Sequence, residues 1–189
     1  MKPYYKDDLI TIYHGDCLEL LPELAFDVVV TDPPYGINVV GGSGSVGGSG
    51  WVDVKEYKAV IGDDVPLDPT WLAGFGRRQV IFGFEHFTRL PHVGRLLVWD
   101  KEMPDGLTFA QLEAAWDSQN GPARIFRHRQ NGFMNNFGDI KKHHPTQKPL
   151  SVMTWIVSQC SDAGDVVVDP YMGSGSTLRA AKDLGRKAI

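Results

Sequence analysis

The sequence predicts an α/β fold with a mainly parallel sheet, and three observations support this. Short continuous apolar runs, Asp27-Val28-Val29-Val30-Thr31 above all, alternate with stretches of helical spacing. Such runs are the mark of strands buried on both faces, as in parallel sheets. Two of them pass directly into turns rich in proline or glycine, at Thr31–Gly36 and Asp169–Thr177. The chain has 189 residues, 42% hydrophobic and 22% charged, which is enough for one domain, 1–189, with a core of its own.

The elements follow in order. Leu9–Tyr13 is a short β-rich run, and Cys17–Leu24 carries Leu18, Leu21 and Leu24 at helical intervals. After the Asp27–Thr31 strand, Gln79–Phe82, Arg95–Trp99 and Asp165–Val168 read as further buried strands, with Ala123–Arg127 a weaker one. Pro149 stands where a first helical residue should be, and Leu150, Met153, Ile156, Val157 and Cys160 follow on one face. A second helix starts near Ser176, turns Leu178, Ala181 and Leu184 inward and ends at Gly185 as a left-handed cap. Residues 37–58 form a glycine-rich loop, whose Gly41–Gly50 stretch is glycine and serine with one valine.

Several classes are excluded. The composition is not that of a disordered, collagen-like or coiled-coil chain. No apolar run approaches the ~20 residues of a membrane span, and Met1–Ile10, with Lys2, Lys6, Asp7 and Asp8, has no signal-peptide core. Cys17 and Cys160 form neither a CxxC pair nor a disulfide framework, so a reduced, cytoplasmic protein without a metal site is expected. The formal net charge is −4, yet between Gly121 and Lys148 six basic residues face the single acid Asp139. A basic stretch in an acidic body suits contact with phosphates, although on charge alone a solvated surface fits as well.

Both turns stand where α/β sheets bind ligands, at the carboxyl end of a strand. In Thr31-Asp32-Pro33-Pro34-Tyr35-Gly36 two prolines stiffen the backbone and remove two donors, leaving carbonyls free to accept. A carboxylate, outward carbonyls and an aromatic ring on such a turn can grip a flat, amino-bearing group. A capping aspartate with a packing tyrosine would be the plainer reading. Asp169–Thr177 passes from strand through glycines into a helix, a geometry that presents backbone N–H groups to a ligand. It lacks the Gly-Lys-Ser/Thr of a P-loop and is not a full GxGxxG.

Four segments, Tyr13–Glu19, Thr31–Gly36, His144-Pro145-Thr146-Gln147-Lys148-Pro149 and Asp169–Thr177, stand in an order and spacing that resembles a known family over Ile10–Ile189. This is the S-adenosylmethionine-dependent DNA amino-methyltransferases of phage and bacterial type, the N6-adenine/N4-cytosine family in its permuted (β) order. The resemblance implies a Rossmann-like methyltransferase fold, with a mainly parallel sheet, helices on both faces and a circularly permuted motif order. It makes Asp32, Pro33, Pro34 and Tyr35 catalytic. Asp32 and the Pro33 carbonyl would accept from the amine of a flipped base while Tyr35 stacks on it. It assigns S-adenosylmethionine to Asp16, Cys17, Asp32, Thr146, Gln147, Lys148, Asp169, Pro170, Tyr171, Gly173, Ser174, Gly175, Ser176 and Thr177. Within that set Asp16 would accept from the adenine amine, and Thr146 and Lys148 would approach the methionine carboxylate. Without the resemblance, Asp16 would be an N-cap and Lys148 a surface cation.

The expected partner is double-stranded DNA, with Arg124, Arg127, Arg129, Lys141 and Lys142 as backbone contacts and residues 101–143 as a small target-recognition region. Asn131, Asn135 and Asn136 could reach base edges there, although asparagine-rich loops are more often turns. A homodimer and a cognate restriction nuclease are left open. The family places an acidic residue at the end of the strand that Lys187-Ala188-Ile189 would begin. The chain ends at Ile189, which suggests a shortened C-terminus and an open sheet edge beside Val166–Val168. Aspartate at position 32 favours adenine N6, since cytosine-N4 members commonly have serine there. The alternatives are cytosine N4, an RNA or protein amide substrate, or a catalytically silent binding remnant.

Overall fold

The computed structural model describes residues 1–36, 62–64, 68–87, 94–106, 110–129 and 147–189. The 37–58 loop, Lys141, Lys142, Thr146 and the three asparagines lie outside the described residues, as do His143, His144 and Pro145. Its centre is a seven-stranded sheet of β3 (Val28–Thr31), β4 (Arg78–Phe82), β5 (Arg95–Asp100), β6 (Leu112–Asp117), β7 (Arg124–Arg127), β8 (Val166–Val168) and β9 (Lys187–Ala188). The strand order is β7-β5-β6-β4-β3-β8-β9. Every neighbouring pair is parallel except those that β6 makes with β4 and β5. The carboxyl ends of β3, β4, β5, β7 and β8 therefore share one edge of the sheet with the amino end of β6.

The apolar runs go where their pattern puts them. Val28, Val29 and Val30 have no exposed surface, and their alternation sends Val28 and Val30 to one face and Val29 to the other. On the first face α2 (Leu150–Cys160) and α3 (Ser176–Asp183) bury Val152, Met153, Ile156, Val157, Leu178 and Ala181. The second face is covered by 3-10 turns, which bring in Leu21 from Leu21–Glu23 and Leu72 from Pro69–Gly74. The helix expected over Cys17–Leu24 is thus α1 (Cys17–Leu20) followed by that turn. Pro22 tightens the turn, because proline has no N–H to continue the α pattern. Pro149 is the N-cap of α2 rather than its first residue, and Gly185 is left-handed, φ +73°, as expected.

The Leu9–Tyr13 run supplies β2 (Thr11–Ile12), which pairs with β1 (Tyr5–Lys6) in a two-stranded sheet of its own, and Ile10 bridges Ala188. One expectation changes. The edge of β8 is not open. β9 pairs with it, the Asp169 N–H donates to the Ile189 carbonyl, and the Ala188 N–H reaches Leu9. Lys187 and Ala188 suffice for this because a parallel ladder needs only backbone groups. Within 101–143 the described residues include β6 and β7, the second of them the weaker strand expected over Ala123–Arg127. Among the described residues no helix is long and apolar enough to cross a membrane.

Candidate active site

The Asp32 turn leaves β3 and the Asp169 turn leaves β8, and the two strands are hydrogen-bonded neighbours. The turns therefore stand side by side on the carboxyl edge. Thr31 Oγ1 donates to Asp169 Oδ1 at 2.7 Å, joining them directly. Asp169 also accepts from the Tyr171 N–H at 3.1 Å and from the Thr177 hydroxyl. Its carboxyl faces inward and is buried, and burial pushes it up to about 6. Asp169 and Thr177 thus brace the glycine turn, while Gly173 and Ser174 form its exposed surface.

The first turn is held from both sides. Asp63, 4% exposed, accepts from the N–H groups of Tyr35 and Gly36 at 3.0 and 2.9 Å, which are the donors left after the two prolines. The Tyr35 hydroxyl donates to Asp32 Oδ1, and burial holds its phenol above the ordinary value. The Tyr35 ring stacks on His86 at 4.7 Å and meets Phe87 edge-on. Behind it lies Gly83, φ +73°, where a Cβ would stand 2.1 Å from a Tyr35 ring carbon, so only glycine fits. A base that stacks on the face His86 occupies has to displace that exposed imidazole, carried on the 3-10 turn Phe84–His86.

Lys148 lies beside the Asp32 turn, not at the glycine turn. It is 8% exposed; its Nζ is 2.6 Å from Asp32 Oδ2 and 3.0 Å from Glu113 Oε2, over the Phe82 ring. Burial alone would lower its pKa, but Asp32 and Glu113 raise it well above the ordinary lysine value. Glu113 Oε1 also meets Lys101 Nζ at 2.7 Å. Burial pushes the Glu113 carboxyl up, yet the two ammonium groups prevail and hold it at about 2. Gln147 precedes Lys148 and is half-buried, while Pro33 is buried and Pro34 half-buried.

Sequence reasoning missed Asp63, Gly83, His86, Lys101 and Glu113. They come from four separate segments and carry no motif, though Glu113 lies in a Leu-Glu-Ala-Ala-Trp run that passes for helix.

The Tyr13–Glu19 segment meets the glycine turn from the far side. Asp16 caps α1, accepting from the Leu18 N–H at 2.9 Å, and its carboxylate is otherwise exposed. Cys17 and Tyr171 are hydrogen-bonded through their side chains, and burial with this bond raises the Tyr171 phenol. A Cβ on Gly175 (φ +78°) would meet nothing within 4 Å, and one on Gly173 would meet only the Tyr171 carbonyl oxygen at 3.8 Å. Open space in front of a glycine turn flanked by an exposed carboxylate and Ser174 suits a polar nucleoside with an amino-acid tail. Pro170 and Ser176 are half-buried on either side of this surface.

Of the basic residues, Arg127 and Arg129 are exposed at the carboxyl end of β7, on the same sheet edge as Asp32. Arg127 meets Asp100 at 3.3 Å with its side chain 63% exposed. Arg124 is exposed at the other end of that strand.

Fold and site define a Rossmann-like domain whose reactive groups line the carboxyl edge of the sheet, the binding edge of open α/β folds. The N6/N4 DNA methylase family model matches residues 55–189, and the chain belongs to that family of DNA amino-methyltransferases. It is 24% identical to the type II methyltransferase M.ScaI of Streptomyces caespitosus, with all of this chain and 78% of that protein aligned. To M.HinfI of Haemophilus influenzae it is 27% identical, with all of this chain and 66% of the relative covered. Two solved structures share the fold. PvuII DNA methyltransferase, described as cytosine-N4-specific, has a TM-score of 0.60 and 16% identity over 100% of this chain and 83% of that one. The M1.HpyAVI–SAM complex has a TM-score of 0.53 and 23% identity over 96% and 92%.

Proposed function

We propose that this protein transfers the methyl group of S-adenosylmethionine to adenine N6 in double-stranded DNA, with Asp32 as the acceptor that activates the amine. The observation that carries this is the state of Asp32 at the end of β3. Lys148 takes one lone-pair site on Oδ2 and Tyr35 one on Oδ1, and a carboxylate has about four such sites. Acceptor capacity remains for an amine, on a group whose orientation is fixed beforehand.

The cofactor supplies an electrophilic methyl on a sulfonium. The open glycine turn, with Gly173, Ser174, Gly175, Ser176 and the exposed Asp16, would hold it, Tyr171 and Cys17 closing one side. Asp169 and Thr177 shape that turn from behind. An exocyclic amine is a poor nucleophile because its lone pair is delocalised into the ring. Accepting its hydrogens at Asp32 and at the Pro33 carbonyl localises the pair on nitrogen, which forms the new N–C bond as the C–S bond breaks. The pair of the broken bond would stay on sulfur as a neutral thioether, and the methylated amine would release its extra proton to water. Tyr35 bears on the base face once His86 yields it, and Pro34 keeps the turn rigid. Arg127 and Arg129 meet the DNA backbone along the same edge, Arg124 more remotely. A cytoplasmic location suits a DNA substrate and the free thiols of Cys17 and Cys160.

The test is incubation of plasmid DNA with S-adenosylmethionine and the protein, followed by mapping of modified bases. N6-methyladenine is expected. N4-methylcytosine would move the reading to the other branch of the family, and unmodified DNA would overturn it.

A further inference from the structure

We infer that Glu113 is a charge-cancelling, positioning residue: it lets Lys148 orient Asp32 without repelling the cationic methyl donor. This rests on the proposed function above, in which the amine held by Asp32 is the methyl acceptor.

The sulfonium must come up to the amine that Asp32 accepts, so it arrives close to whatever else touches Asp32. Beside the uncharged Tyr35 hydroxyl, that is Lys148, a buried ammonium 2.6 Å from the same carboxylate. Two ammonium groups, Lys148 and Lys101, stand along this side of Asp32, and its single carboxylate offsets only one of them. Glu113 supplies the second carboxylate, 3.0 Å from Lys148 Nζ, from the amino end of β6. Its other oxygen is fixed by Lys101, whose ammonium lies over the Trp99 ring at 5.1 Å. Lys101, Glu113, Lys148 and Asp32 thus form one chain of alternating charge.

The other acids nearby cannot replace Glu113. Asp63 is engaged with the backbone of Tyr35 and Gly36, and Asp169 is turned to Thr31, Tyr171 and Thr177. Because Glu113 touches neither base nor donor in this arrangement, it acts through Lys148 and through the local charge.

A structural role and a charge role differ in one readout. S-adenosylmethionine is a sulfonium, whereas S-adenosylhomocysteine is the same molecule with a neutral thioether in its place. The experiment is calorimetric titration of both into the full chain and into Glu113→Gln, Lys148→Met and the double variant. Glu113→Gln leaves an uncancelled positive charge, so the ratio of S-adenosylmethionine to S-adenosylhomocysteine affinity falls roughly 10-fold. Lys148→Met moves the ratio the other way, and the double variant returns it to within about 3-fold of the unaltered protein. Should Glu113→Gln fail to fold, the Lys148→Met shift and the near-normal ratio of the double variant decide the matter. An unchanged ratio in the folded single variants, equal losses for both ligands, or shifts of the same sign overturn the inference. If the unaltered chain binds neither ligand, the proposed function falls and the inference with it.

Discussion

Thr31 donates its hydroxyl to Asp169 Oδ1 at 2.7 Å, tying the last residue of β3 to the first residue after β8. The Asp32 turn and the glycine turn are thereby joined by a bond between side chains 138 positions apart in the sequence.

That bond involves a carboxyl with an unusual titration. Burial pushes Asp169 from 3.8 up to about 6, against the hydrogen bonds of Thr177, Thr31 and the Tyr171 N–H. A raised carboxyl pKa means that the native state holds the proton more tightly than the unfolded chain. Its contribution to stability is therefore full below about 3.8 and is lost as pH rises through about 6. Asp169→Asn cannot ionise, so its stability relative to the unaltered protein should improve by about 2 kcal/mol between pH 4 and pH 8. Urea unfolding at the two pH values measures this. A difference that does not change with pH would show that the carboxyl titrates normally.

Gly83→Ala places a Cβ inside the Tyr35 ring in a backbone conformation that alanine resists. The expected loss of stability is about 1–3 kcal/mol, with slower methyl transfer because Tyr35 is pushed off Asp32. Chemical denaturation and single-turnover rates report the two effects separately. An alanine variant as stable and active as the parent would mean that Tyr35 is not packed on Gly83.

Arg127 and Arg129 share the sheet edge with Asp32, whereas Arg124 does not. Arg127→Ala with Arg129→Ala should weaken binding to every DNA sequence and flatten the salt dependence by roughly 0.9 per lost phosphate contact. Arg124→Ala should change the slope less. Binding titrations over a range of salt decide it, and an unchanged slope for the double variant would put the DNA on another face.

The sequence made the sheet's buried strands and both turns legible because their signals are local. Val28–Val30 and Val166–Val168 are apolar throughout, and a proline or glycine turn follows each. β6 was not legible. Leu112–Asp117 holds glutamate and two alanines, which favour helix, and only its seat between β4 and β5 makes it a strand. The site shows the same division. Asp32, Tyr35 and Asp169 stand in motifs, but what holds them does not: Asp63, Gly83 and Glu113 act through contacts that only folding creates. Lys148 stands in a motif, while the pairing it makes does not show there. Nothing in His144–Pro149 says that its ammonium reaches Asp32 and Glu113.

If Asp32 activates the amine, Asp32→Ala removes the acceptor on which methyl transfer depends. The measurement is the single-turnover rate of methyl transfer to DNA, beside the affinity for S-adenosylhomocysteine, whose neutral thioether does not sense the lost charge. A positioned group of this kind contributes ~10²–10³ in rate. The rate is expected to fall by at least that factor, with S-adenosylhomocysteine bound within a few-fold of the unaltered protein. Transfer at a comparable rate by the folded variant would contradict it.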